Sequence, residues 1–331
     1  MAEQILKIED LKKYFMIPKS FSFKTVLRKV GLRTLTAVDG VSLDVYSRET
    51  LGLVGESGCG KTTIGRLILK AIEPTAGTIR FGDKAIETLE GKELMEFRKQ
   101  VQVVFQDPFL SLNPRMSVRR ILSEPLLVHH MVSPDRVQER VVELMNLVGL
   151  DPNLIVLYPY ELSTGQRKRI AIARAIATNP TLLVADEAVS GLDVSVKAQI
   201  LNLLSNLQET LGLTYVFISH DLGVVQFVCH KVAIMYLGKV VEFGDTKSIF
   251  EKPLHPYTVA LLGSIPKVRA RGEIPTPIKS PLKGEIPSPI DLPSGCRFQV
   301  RCPKRTVKCT ELEPAFMEVD TGHKVSCFFY G

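Results

Sequence analysis

One octapeptide constrains this chain more than anything else in it: Gly55-Glu56-Ser57-Gly58-Cys59-Gly60-Lys61-Thr62, which fits G-x-x-x-x-G-K-S/T. An apolar run, Leu51–Val54, precedes it, and a helix-forming run, Ile64–Ile72, follows. The order predicted is therefore strand, glycine loop, helix. Glycines let the backbone curl until several N–H groups point inward at a phosphate. The helix start behind the loop adds partial positive charge. In such a loop Lys61 reaches the terminal phosphates, and the Thr62 hydroxyl can ligate Mg2+. The candidate nucleotide contacts are Gly55, Ser57, Gly58, Cys59, Gly60, Lys61, Thr62 and Thr63, with Cys59 contributing its backbone rather than a reactive thiol.

Two later strands end in chemistry suited to that loop. Thr181–Ala185 is apolar and runs into Asp186 and Glu187. Two adjacent acids are usually a solvated turn, but the end of a buried parallel strand is where α/β sheets bind ligands. There Asp186 can hold Mg2+ through water, and Glu187 can orient or deprotonate an attacking water. Leu213–Ser219 is also apolar and ends in His220, placed to contact a γ-phosphate. Leu162-Ser163-Thr164-Gly165-Gln166 opens a helix-rich run, Arg167–Ala177. Ser163 and Gln166 match a capping box. Arg167, Lys168 and Arg169 then place three cations in the first turn, against the helix dipole, and a phosphate at that helix start would offset the conflict.

The remaining elements follow the same alternation. Residues 1–50 read as β-rich from Gln4–Ile8 and Leu35–Val45. Residues 111–180 read as mainly helical, with Val137, Val141, Leu144 and Val148 at helical spacing, and Val194–Leu211 reads as a crossover helix. Tyr215–Ser219 has the composition of a strand buried on both faces. No apolar stretch is long enough to span a bilayer, and Met1–Gln4 lacks the build of a signal peptide, so a cytosolic chain is expected.

The net charge is +7, but five basic residues between Lys19 and Arg33 and five between Arg297 and Lys308, with no acid in either stretch, exceed that total. The rest is net negative, which argues against a nucleic-acid-binding body. The insert Lys19–Arg33, with Phe21 and Phe23, suits a solvated loop or contact with anionic lipid. Residues 264–295 carry seven prolines and read as a linker. Of six cysteines, Cys296, Cys302, Cys309 and Cys327 cluster at the end as C-x5-C-x6-C-x17-C, a pattern pointing to metal rather than disulfides in a cytosolic chain.

Over residues 1–255 the chain resembles the nucleotide-binding subunits of ABC transporters. Gly55–Thr62 matches their Walker A motif, Gln106 their Q-loop glutamine, Leu162–Gln166 their signature, Leu182–Glu187 their Walker B with its catalytic glutamate, Ser190–Asp193 their D-loop, and His220 their switch histidine. The resemblance implies an α/β, ABC-type phosphate-loop NTPase: a RecA-like core, an N-terminal antiparallel β subdomain, a helical subdomain at about 111–180 and a small cysteine-bearing extension. It implies Glu187, His220 and Gln106 as catalytic residues, Thr62, Gln106 and Asp186 around Mg2+, and Phe15, or else Tyr14, stacking on adenine. Two such subunits face head to tail, so that Ser163, Thr164, Gly165, Gln166 and the D-loop residue Asp193 serve ATP bound to the partner. The surface near Gln106 and residues 107–125 would grip the membrane subunits. The usual signature has glycine where Thr164 stands, and Ala188 replaces the usual proline after Walker B; a side chain at 164 can crowd the facing phosphate, and if the partner supplies a better signature the two composite sites would be unequal.

The tail resembles the extension of ATPases in dipeptide, oligopeptide and nickel importers, through Leu254–Thr258, Gly284–Pro289 and Gly295–Phe298. HPYT and the long N-terminal insert favour the second member of an unequal ATPase pair. The expected partners are therefore a second, unequal ATPase, two permease subunits and an extracytoplasmic solute-binding protein, with no nucleic acid, at the cytoplasmic face of the membrane. The resemblance also implies a 4Fe-4S cluster on the four tail cysteines. Zinc and plain reduced thiols are the alternatives. The expected division is an ATPase domain at 1–263, a linker at 264–295 and a four-cysteine iron–sulfur module at 296–331. The rival functions are import of nickel or another small solute, a regulatory ATP-binding subunit, and a soluble ABC ATPase acting on ribosomes or nucleic acid.

Overall fold

The computed structural model describes residues 3–18, 32–107, 111–264 and 284–330. Most of the basic insert and the first part of the linker lie outside them. The β-rich opening forms strands β1 (Gln4–Pro18) and β2 (Leu32–Tyr46), antiparallel from Gln4↔Tyr46 to Pro18↔Leu32. After β3 (Thr50–Val54), strands β4 (Ala76–Phe81) and β5 (Lys84–Ala85) join the free edge of β1, giving the order β2-β1-β4-β5. Period-two burial puts Leu6, Ile8, Leu43 and Val45 inward. They pack with Leu51 and Leu53 of β3 and with Ile64 and Leu67 of helix α1 (Lys61–Ile68). Burying each such side chain stabilises by ~1.5–3 kcal/mol, which holds the antiparallel sheet over the phosphate loop.

The second sheet is built on β3. Its neighbours are β8 (Thr214–Ser219) on one side and β9 (Lys231–Tyr236) on the other, both parallel. Beyond β8 come β7 (Leu182–Asp186) and β6 (Val101–Val104), also parallel. All of β3 and β8 is buried, as expected for strands covered on both faces. Past β9 the sheet turns antiparallel with β10 (Lys239–Asp245), and the tail adds a hairpin, β11 (Met317–Asp320) and β12 (His323–Val325), through Glu242↔Val325.

Helix α2 (Gly91–Gln100) leads into β6. The helical region comprises α3 (Val118–Val128), α4 (Val137–Leu147) and α5 (Thr164–Ile176). Of the stripe read at Val137, Val141, Leu144 and Val148, the last three are fully buried and Val137 is half-buried. The crossover helix α6 runs Val194–Leu211, as the sequence predicts, between an Asp193 cap accepting the Val196 N–H at 2.9 Å and Gly212 at φ 68°. Helix α1 stops at Ile68, short of the expected Ile72. Lys70 takes a left-handed φ of 48°, and its ammonium donates to the carbonyls of Glu87 and Leu89 at 2.9 and 2.7 Å. Apolar periodicity continues past that point and does not register the break.

Candidate active site

The phosphate loop joins the C-terminal end of β3 to α1. Gly60, at φ 108°, is the helix cap, and a Cβ there would lie 2.2 Å from the Ala37 carbonyl oxygen. No side chain fits that approach. Lys61 is 4% exposed, and its Nζ donates to the carbonyls of Gly55 and Glu56 at 2.7 and 3.0 Å. The ammonium is thus parked inside the loop. Burial pushes the Cys59 thiol up, so it is no reactive thiolate.

The adjacent strand ends bring the acids to the loop. The Thr62 hydroxyl donates to Asp186 Oδ1 at 3.1 Å. Burial raises the Asp186 carboxyl above its ordinary range and the Glu187 charge adds to this, while the Thr62 bond and the charges of Arg66 and Lys61 oppose it. Two oxygen donors this close beside a phosphate loop suit a hard cation such as Mg2+. Glu187 sits at a left-handed φ of 47°, anchored by its N–H to the Ile218 carbonyl at 3.0 Å. Its Oε1 lies 3.2 Å from His220 Nδ1. A left-handed non-glycine residue is a strained arrangement, of the kind that clusters at functional sites.

A cleft of about 430 Å3 opens over these groups, lined by Ser57, Gly58, Gly60, Lys61, Thr62, Thr63 and Glu187 at its polar part and by Phe15, Leu35, Ala37 and Pro289 at its apolar part. The two aromatic candidates are placed differently. Phe15 lines the cleft, whereas the Tyr14 hydroxyl donates to Asp39 Oδ1 at 2.5 Å, and burial with that bond pushes it up to about 12. Gly55, Cys59, Asp186 and His220 are not among the residues that line it. The exposed Gln106 side chain is also outside the lining.

The signature lies elsewhere. Ser163, Thr164, Gly165 and Gln166 line a separate cleft of about 370 Å3 together with Gly191 and Asp193. The capping box is formed: Ser163 Oγ accepts from the Gln166 N–H at 3.2 Å, and Gln166 Oε1 accepts from the Ser163 N–H at 2.9 Å. Contrary to the sequence expectation, the three cations behind it do not await an anion. Lys168 is fully buried and donates to the carbonyls of Phe105 and Gln106 at 3.0 and 2.8 Å. Arg169 donates to the Val148 carbonyl at 2.6 Å and to Gln199 Oε1 at 3.3 Å. Arg167 donates to the Thr164 hydroxyl at 3.2 Å, so all three cations already have oxygen atoms of the protein as partners. The spacing signals it for Lys168, which shares a helical face with the buried Ala171, Ile172 and Ala175.

Sequence reasoning also misses a cluster around Glu56. Its carboxylate is gripped by both terminal nitrogens of Arg301 at 2.6 and 3.0 Å, and its N–H donates to the Tyr257 hydroxyl at 2.9 Å. In the tail itself, burial pushes the Cys296 thiol up to about 11 and also raises Cys302 and Cys327. Backbone N–H groups two residues on, at Phe298, Lys304 and Phe329, pull these three sulfurs the other way. Among the described residues no group of three or more His, Cys, Asp or Glu is placed to hold a metal ion, so neither the zinc alternative nor the expected cluster has a formed ligand set here.

Strand-end acids around a phosphate loop, with a signature helix facing a second cleft, define an ABC-type phosphate-loop ATPase. The ABC transporter family model matches residues 38–190, and that of the oligopeptide/dipeptide transporter C-terminal region matches 241–309. The oligopeptide transport ATP-binding protein AppF of Bacillus subtilis is 48% identical, over 99% of this chain and 98% of that protein. The putative oligopeptide transport ATP-binding protein YkfD of the same organism is 43% identical, over 98% and 95%. Among solved structures, cbiO1 from Clostridium perfringens, part of the ABC transporter complex cbiONQ, superposes with a TM-score of 0.63 at 30% identity, covering 76% of this chain and 92% of that one. A dimeric ATP-binding cassette in a post-hydrolysis state with ADP and Pi gives 0.63 at 26%, covering 73% and 99%. The chain therefore belongs to the ABC transporter ATP-binding subunits, in the branch carrying the oligopeptide/dipeptide transporter C-terminal region. Its activity is ATP hydrolysis coupled to transport, and among the described residues no helix is long and apolar enough to cross a membrane.

Proposed function

We propose that this subunit powers import of di- or oligopeptides, working at the cytoplasmic face of the membrane as one half of a head-to-tail ATPase pair. The observation that carries the pairing is the separation of the two clefts: Lys61 and Glu187 line one, Ser163 and Gly165 the other. ATP held by Lys61 needs a signature from a second subunit. Phe15 stacks on the base, and loop N–H groups and Lys61 hold the phosphates; Thr62 and Asp186, with Gln106, would hold Mg2+. Mg2+ supplies charge neutralisation on the phosphate oxygens. Glu187 takes a proton from the attacking water, and His220 fixes the Glu187 carboxylate and meets the γ-phosphate. Peptide cargo is supported by the names of the relatives and by the matching tail. The same machinery would serve a nickel or other small-solute importer, because cargo choice lies in other subunits.

The proposed assembly has a second, unequal ATPase, two permease subunits and a solute-binding protein. The proposed division of the chain is an ATPase domain at 1–263, a linker at 264–295 and a cysteine module at 296–331. For the tail we propose a 4Fe-4S cluster on Cys296, Cys302, Cys309 and Cys327. The support is the i+2 N–H groups facing three of the sulfurs, since such bonds tune clusters. Anaerobic purification followed by absorption and electron paramagnetic resonance spectra tests it, and an iron-free protein with four titratable thiols refutes it. The function as a whole is tested by purifying the subunit from its native membranes in mild detergent and identifying what accompanies it. Two permeases, a second ATPase and a peptide-binding protein are expected. Ribosomes or nucleic acid without a permease would overturn the transporter reading.

A further inference from the structure

The apolar part of the nucleotide cleft contains one residue from far along the chain. Pro289 lines it together with Phe15, Leu35 and Ala37. Its position is fixed by backbone pairing: the Thr36 N–H of β2 donates to the Pro289 carbonyl at 3.0 Å, beside Leu35, which is the register partner of Phe15. The residues that follow are bolted to the same neighbourhood. Arg297, 9% exposed, binds Asp39 and the Leu237 carbonyl, and Arg301, 8% exposed, grips Glu56 inside the phosphate loop. Phe298 lies between them against Tyr236 and Tyr257, with ring centroids 5.2 and 5.4 Å apart. Two buried arginines on two acids beside the loop, with an aromatic plug between, leave this segment little freedom relative to the cleft.

We propose that Pro289 is a wall of the base-binding end of the nucleotide site, held there by the tail, so that tail docking and nucleotide binding are coupled. This rests on the reading that the cleft binds ATP with its phosphates at Lys61. A purine is a flat apolar ring with a polar edge. Phe15 offers it an aromatic face, and the pyrrolidine ring of Pro289 offers a rigid apolar surface in the same lining, at little entropic cost to the protein. Coupling is reciprocal: whatever loosens the tail weakens ATP binding by the same factor by which ATP strengthens docking. The tail thus acts as part of the nucleotide site.

The test compares two probes on the full chain, ATP and inorganic tripolyphosphate, by equilibrium binding without hydrolysis. Pro289→Gly and Pro289→Ala are measured beside the unmodified protein, with thermal unfolding recorded for each. Loss of one apolar wall should raise the Kd for ATP about three- to tenfold and leave that for tripolyphosphate within about twofold. Arg301→Ala should weaken both probes, because it frees the Glu56 carboxylate beside the phosphates, and Arg301→Lys should recover part of the loss. If both Pro289 variants bind ATP as the unmodified protein does, or weaken both probes equally, Pro289 is no base wall. If the unmodified protein binds neither probe, the fault lies with the nucleotide site itself and not with Pro289.

Discussion

Replacing Lys168 by Met separates holding the fold together from linking its moving parts. Lys168 leaves α5 from within the signature helix and donates to the Phe105 and Gln106 carbonyls, at the foot of the Q-loop. Two hydrogen bonds from a charged donor are worth ~1.5–3 kcal/mol each. Against them stands burial, which pulls the Lys168 ammonium down from 10.5 to about 8, with the Asp107 charge opposing only in part. That displacement is a penalty of about 3 kcal/mol on the charged form. Methionine fills a similar volume without the penalty, and the freed carbonyls belong to the exposed residues Phe105 and Gln106 rather than to core residues. The expected change in unfolding free energy is therefore within ~2 kcal/mol of zero. ATP affinity should hold, because Lys168 is outside the cleft lining. Stimulated ATPase of the assembled transporter should fall about tenfold or more, the consequence of ~1.4 kcal/mol of lost coupling.

A pH series sharpens the test. The folded-state value lies below the unfolded one, so between them the unfolded chain binds more protons, and stability rises with pH. From about pH 8 to 10.5 the wild type should gain up to ~3 kcal/mol over the Met variant, with no differential change below pH 8. Urea titrations across that window measure it. A variant that unfolds outright, or one with undiminished transporter ATPase, refutes the reasoning.

Glu187→Gln should lower turnover by about 10²–10⁴-fold, with ATP affinity kept, as measured by phosphate release and equilibrium binding; an unchanged rate would remove Glu187 from the chemistry. Thr164→Gly should raise the ATPase rate of the assembled complex if the threonine crowds the facing phosphate, and an unaltered rate counts against unequal sites. Glu242→Ala strands the N–H groups of Leu254 and His255 and the ring of His323, which Glu242 bonds at 2.8, 2.9 and 2.8 Å. It should destabilise by about 3–5 kcal/mol in denaturant titrations, and a loss under about 1 kcal/mol would refute that account.

Local elements are legible in the sequence where local rules agree on them. Leu51–Val54, the glycine loop and the helix behind it announce themselves by composition, and α6 carries both a capping aspartate and a closing glycine. The partners of Glu56 are not legible. Arg301 lies 245 residues away, and nothing in GEIPSP or CRF states which surface it will meet. Lys168 reads as a solvent-facing cation whenever charge is weighed before helical phase. Strands β11 and β12 are too short, at four and three residues, for their alternation to stand out; β12 pairs with the edge of β10, and β11 pairs with β12. Sequence pattern reports what a segment prefers, whereas these features are set by what lies across the fold.

The same distinction bears on how the two clefts communicate. Glu187 faces the phosphate loop and Asp193 lines the signature cleft, yet only the short stretch Ala188–Leu192 separates them along the chain. Both ends of that stretch are pinned. The Ser190 N–H closes a turn on the Glu187 carbonyl at 3.0 Å, and Asp193 caps α6. Between them the backbone carries a left-handed non-glycine residue at Glu187 and a left-handed glycine at Gly191, φ 72°. A turn so short and so constrained has few ways to absorb a displacement of Asp193 other than by moving Glu187. In the proposed head-to-tail pair, a phosphate arriving at the signature cleft would therefore bear on the geometry of Glu187, the proposed general base, and hydrolysis in one cleft would not be independent of occupancy in the other.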